Sequence, residues 1–114
     1  MSNLNVLGKP VCDLKTYTVK EATMTNGQTI KIGFMGLAGA DWMGTMGVNF
    51  TEELQYTDFL EKGREMAIML KSKPHKCDMI VALTHLRGPS DQALIKSVPE
   101  IDFVLGGHDH SYIR

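Results

Sequence analysis

Residues 77–85 read Cys77-Asp78-Met79-Ile80-Val81-Ala82-Leu83-Thr84-His85, and residues 101–110 read Ile101-Asp102-Phe103-Val104-Leu105-Gly106-Gly107-His108-Asp109-His110. Each contains a short apolar run of the length and β-branched content of a buried strand, and each run gives way at once to histidine. Between them the sequence predicts a short helix. Ser90 or Asp91 can satisfy its first amides, Ala93, Leu94 and Val98 give it an inward face, and Pro99 marks its stop.

The same pattern continues upstream. Leu60, Gly63, Met66, Ala67 and Leu70 recur at helical spacing after a Thr57-Asp58 cap, with Pro74 beyond the end. Before that helix, Thr29 to Leu37 alternates at first and then becomes a nearly unbroken apolar run from Ile32 to Leu37, as expected of a central strand covered on both faces. Residues 16–24 are rich in β-formers, and Asn26-Gly27 then permits a tight turn, so a hairpin is expected to lead into this strand. Residues 38–56, with Gly39, Gly44 and Gly47, read as a long loop.

Strand, helix, strand, helix, strand is the pattern of linked βαβ units. It predicts an α/β fold with a parallel βαβαβ core and an amino-terminal β-hairpin, its three parallel strands side by side. Ligand sites in such sheets lie beyond the carboxyl edge, directly after Leu37, Leu83 and Leu105.

Three of the four histidines fall there. His85 follows one strand, while His108 and His110 follow the next, where alternation along an extended segment would turn both the same way. Gly106 and Gly107 remove bulk where the backbone must turn. Neutral imidazoles are good ligands for Zn²⁺, Mn²⁺, Fe or Co, and three that converge can hold one ion or contribute to two. Arg87, two residues after His85, can meet a phosphate at the same edge, although an arginine in a loop is more often solvated. His75 lies in a basic loop at the opposite end of its strand and reads as surface. Asp102 reads as a surface or capping residue, and Trp42 as either a stacking surface for a base or a cover for its own core.

Bulk properties narrow the classes. The 114 residues suffice for one domain, and 12 Lys and Arg against 13 Asp and Glu leave no basic footprint for nucleic acid. Cys12 and Cys77 form no C-x-x-C arrangement and read as reduced, packed thiols. No stretch has the length and apolarity of a membrane span, and the compartment is left open.

The two quoted segments, with Asp91 between them, resemble the calcineurin-like metallophosphoesterases, specifically the 5′-nucleotidase branch. Ile30 to Leu37 and Ser2-Asn3-Leu4 look like the segments that follow that family's Asn-His motif. The resemblance implies part of a four-layer αββα sandwich, with residues 1–114 as a partial metallophosphoesterase domain. It implies two divalent metal ions, His85 and His108 on the second and His110 on the first, and a nucleotide or other phosphate monoester as substrate. The family's early Asp-x-His, Gly-Asp-x-x-Asp and Gly-Asn-His-Asp/Glu motifs have no match in these residues. By that resemblance the chain alone is expected to lack turnover, and its carboxy-terminal nucleoside-selecting domain lies outside it.

Two other readings stand beside this one: a mononuclear three-histidine zinc hydrolase or hydratase, and a non-catalytic scaffold or interaction segment. An HD-type phosphohydrolase is disfavoured because those His-Asp pairs sit on helices. The segment is also expected to self-associate through uncovered strand edges, with the 16–37 hairpin as the exchanged element.

Overall fold

Gly27 adopts φ +85° and reverses the chain between strands β3 (Tyr17–Thr23) and β4 (Thr29–Ala38). These pair antiparallel from Tyr17 opposite Met35 to Thr23 opposite Thr29, which is the expected hairpin. The computed structural model describes residues 1–45 and 54–110. Within them β1 (Leu4–Val6), β2 (Lys9–Pro10) and β5 (Leu54–Tyr56) form a small antiparallel sheet. Helix α1 spans Ala40–Thr45, α2 Phe59–Lys71 and α3 Gly88–Ser97, and strands β6 (Met79–His85) and β7 (Phe103–Gly107) complete the larger sheet.

That sheet has the order β3-β4-β6-β7. β4 and β6 run parallel from Ile32 beside Met79 to Ala38 beside His85, and β6 and β7 from Val81 beside Phe103 to His85 beside Gly107. The fold is therefore mixed α/β with three adjacent parallel strands, as the βαβ spacing predicts.

The core lies on one face. Met35, Leu37, Ile80 and Ala82 meet Met66, Ala67 and Leu70 of α2 and Leu94 of α3, all buried. Gly63 is the tight point: a Cβ there would stand 2.9 Å from Cδ1 of Leu94 and 3.3 Å from Cδ1 of Leu37, so the close approach of α2 to α3 and β4 needs glycine. Asp58 caps α2, its carboxylate accepting from the amides of Leu60 and Glu61.

Several expectations are corrected. Residues 38–56 are not one loop, because α1 and β5 lie within them; residues 46–53 are outside the described set. Neither Ser90 nor Asp91 caps α3, which starts earlier: Arg87 is the cap residue, without a side-chain hydrogen bond, and proline stands in the first turn. β6 and β7 are not buried on both faces. Leu83 is 47 % exposed, Phe103 53 % and Leu105 57 %, and register with strand alternation puts all three on the face away from the helices. Cys77 is buried, and burial pushes its thiol up, whereas Cys12 is exposed rather than packed.

Two polar residues stitch the sheet ends. At the amino edge Asp102 accepts from the Ile80 amide at 2.7 Å and from Lys71 Nζ at 3.1 Å. At the carboxyl edge the buried Asn3 donates to the carbonyls of Ala38 at 2.8 Å and Thr57 at 3.2 Å, and accepts from the Ala38 amide at 3.0 Å. Among the described residues no helix is long and apolar enough to cross a membrane.

Candidate metal centre

Parallel pairing brings Ala38, His85 and Gly107 into one row at the carboxyl edge. His85 is the last residue of β6. His108 follows β7 with φ +112°, a backbone region that a residue with a Cβ rarely adopts and that often marks a functional site. The bend turns its ring onto His85: Nδ1 of His108 lies 2.9 Å from Nε2 of His85, with ring centroids 4.7 Å apart. Both residues are half-buried.

Two imidazole lone pairs cannot face each other at this distance without repulsion, so a proton or a cation must lie between them. Two nitrogens on one tetrahedral Zn²⁺ would be about 3.3 Å apart, given Zn–N bonds of about 2.0–2.1 Å. The observed separation is a few tenths of an ångström shorter, which small ring rotations accommodate. The pair fits as half of a cation's donor set.

His110 behaves otherwise. It is exposed with φ +53°, so the segment after Gly107 is not extended and alternation does not pair His110 with His108. The two instead line one cavity of about 350 Å³, together with Leu86, Asp91 and Val104. Among the described residues no group of three or more His, Cys, Asp or Glu side chains is placed to hold an ion. The structure thus unites two of the three histidines read from the sequence.

Arg87 is engaged by carboxylates. Its Nε donates to Oδ2 of Asp41 at 2.9 Å and its guanidinium reaches Oδ1 of Asp109 at 3.3 Å, while Oδ2 of Asp109 accepts from the Gly88 amide at 2.8 Å. It ties α1, the start of α3 and the loop after β7 together. Behind the histidines, Asp91 accepts the Thr84 hydroxyl at 2.7 Å. Burial raises the Asp91 carboxyl above its ordinary value, against the Thr84 hydrogen bond and with help from Asp109. His75 packs edge-on against Tyr17 far from this edge.

Sequence reasoning missed Asp41, whose Oδ2 lies 3.8 Å from Nε2 of His108, and the contact of Trp42 with His85, ring centroids 5.5 Å apart. The signal available was a lone acidic-aromatic pair in a glycine-rich stretch, which carries no periodicity.

No family model matches the chain. It is 43 % identical over 58 residues to the uncharacterized metallophosphoesterase YunD of Bacillus subtilis (strain 168), a match covering 51 % of this chain and 12 % of that protein. Among solved structures it is similar to the calcineurin-like phosphoesterase YfkN from Bacillus subtilis, with a TM-score of 0.77, 22 % identity, and coverage of 96 % of this chain and 36 % of that one. It is also similar to a 5′-nucleotidase precursor from Thermus thermophilus, with a TM-score of 0.74, 21 % identity, and coverage of 96 % and 20 %. The chain therefore spans about a third or less of the length of these relatives. The chain thus has the fold of part of a calcineurin-like phosphoesterase, and half of its sequence is similar to a metallophosphoesterase.

Proposed function

We propose that this chain contributes to a divalent-metal phosphoesterase that hydrolyses phosphate monoesters, with a nucleoside 5′-monophosphate as the substrate. The observation that carries the reading is the 2.9 Å approach of His85 Nε2 and His108 Nδ1 at the carboxyl ends of neighbouring parallel strands. Two metal ions of the Zn, Mn, Fe or Co type, when bound, would lower the pKa of a coordinated water and neutralise phosphoryl charge. His85 and His108 supply one ion with neutral nitrogen donors, and His110, beside the shared cavity, supplies the other. The nucleotide preference takes its support from the name of the Thermus relative and from the resemblance of residues 77–110 to that branch.

A mononuclear three-histidine centre is not favoured, because His110 stands apart from the facing pair. The test is the longer protein that includes this segment, purified with Mn²⁺ or Zn²⁺ and offered AMP and other monoesters. Metal-dependent phosphate release that disappears in His85→Ala and His108→Ala supports the reading; release indifferent to both substitutions overturns it.

A further inference from the structure

Consecutive residues of α1 each meet one of the two facing histidines. Oδ2 of Asp41 stands 3.8 Å from Nε2 of His108, while the other nitrogen of that ring, Nδ1, faces His85. The Trp42 indole lies against the His85 imidazole, centroids 5.5 Å apart and planes inclined by 60°. The strand edge sets α1 in turn. The Gly39 amide donates to the His85 carbonyl at 3.1 Å and the Trp42 amide to the Gly39 carbonyl at 3.3 Å. A Cβ at position 39 would fall 2.6 Å from Oδ1 of Asp41, so only glycine lets the carboxylate sit here. Arg87 bonds the same Asp41 oxygen and reaches Asp109, and these three side chains together carry one negative charge beside the His108 ring.

A neutral imidazole has one N–H and one lone pair. At 3.8 Å the carboxylate is beyond hydrogen-bond range, yet its charge favours the N–H on the nitrogen that faces it. The lone pair is then left on Nδ1, the nitrogen aimed at His85. Metal-binding histidines are commonly held in this way, with a carboxylate on the side away from the ion.

We propose that Asp41 and Trp42 are positioning residues for the His85–His108 pair. Asp41 fixes the His108 tautomer so that Nδ1 offers its lone pair to a divalent cation shared with His85, and Trp42 holds the plane of the His85 ring. The inference rests on the metal reading of the pair, but the tautomer and the ring contact are measurable with no metal added.

The experiment uses the full ¹⁵N-labelled chain and its Asp41→Asn, Asp41→Glu, Trp42→Phe and Trp42→Ala variants. Long-range proton–nitrogen correlation reads the His108 tautomer, and Co²⁺ absorption reads affinity for that ion. Thermal melts establish that each variant is folded. The expected result is an Nε2–H tautomer at His108 that Asp41→Asn abolishes and Asp41→Glu restores. Co²⁺ affinity should fall about tenfold or more in Asp41→Asn, and should fall in Trp42→Ala more than in Trp42→Phe. A folded Asp41→Asn with the wild-type tautomer and affinity overturns the proposal, as does an Nδ1–H tautomer in the wild-type chain. Tautomer control by Asp41 in a chain that takes up no Co²⁺ would uphold the positioning role and overturn the metal reading beneath it.

Discussion

Oδ2 of Asp91 occupies the space in which a side chain on residue 106 would begin: a Cβ on Gly106 would stand only 2.5 Å from it. The carboxylate is not free to swing aside, because Oδ1 accepts the Thr84 hydroxyl. Gly106→Ala should therefore break that hydrogen bond or displace the end of β7, at about 1–3 kcal/mol. Combining it with Asp91→Ala should cost less than the sum of the two single changes, since both act on one small space. Denaturant unfolding of the four proteins measures the coupling, and strict additivity would show the contact to be relaxed in solution.

The histidine pair should act as a unit. His85→Ala and His108→Ala should each weaken Zn²⁺ or Co²⁺ binding by about tenfold or more, and the double variant by little beyond the worse single one. His75→Ala should change nothing. Trp42 is the only tryptophan in the sequence and packs on His85, so quenching of its fluorescence by Co²⁺ is a direct readout. Quenching that survives both substitutions would place the ion elsewhere.

The 114-residue chain by itself should release no phosphate from AMP with Mn²⁺ or Zn²⁺ at an enzymatic rate of about 1 per second. A two-metal centre needs bridging and terminal oxygen ligands that imidazoles do not provide, and this chain covers only 36 % and 20 % of the two solved structures. Turnover at that rate, lost on chelation, would show that the residues in hand complete a site.

Asp102 predicts an acid-side loss of stability. Burial pushes its carboxyl up, but the Ile80 amide and the Lys71 ammonium outweigh burial and hold it below the ordinary value. The folded state thus binds this proton less readily than the unfolded chain. Its contribution is present above the unfolded carboxylate value of about 3.9 and is lost as pH falls through the lower folded value. Asp102→Ala should cost about 1 kcal/mol at neutral pH, and its difference from wild type should shrink below about pH 4. A difference constant down to that range would count against the hydrogen bond to Ile80.

Leu83 of β6 with Phe103 and Leu105 of β7 forms an exposed apolar row, and among the described residues β7 pairs with β6 alone. We expect copies of the chain to associate there as concentration rises. Hairpin exchange is a longer route, since β4 is paired on both sides. Phe103→Lys should shift the population toward monomer in size-exclusion chromatography with light scattering. A wild-type chain that stays monomeric over a wide concentration range would refute association by either route.

How the chain writes its fold differs along its length. The β4, β6 and β7 strands and the two helices between them were legible because the runs Met79–Leu83 and Phe103–Leu105 are short and bounded by turn residues, while Met66 and Leu70 recur at a spacing that only a helix satisfies. His85 and His108 were legible as strand-end residues, since a parallel sheet puts such ends on one edge. Their ring-to-ring contact was not, because it depends on a positive φ at His108, a residue type that gives little warning of one. α1 was missed because Gly39 and Gly44 flank its few apolar residues. The exposure of Phe103 and Leu105 was missed because a fully apolar run looks alike in a central and an edge strand.

Asn3 holds Ala38 and Thr57 across sequence separations of 35 and 54 residues, and Ala38 is the register neighbour of His85. Contacts this distant form late, since the loops they close must first surrender their freedom. The strand–helix–strand unit from β6 to β7 can collapse early from local contacts, but its histidine edge is finished only when the first few residues return to it. Within these residues the order of folding thus runs against the order along the chain: Asn3, ahead of every strand described, is among the last to be placed.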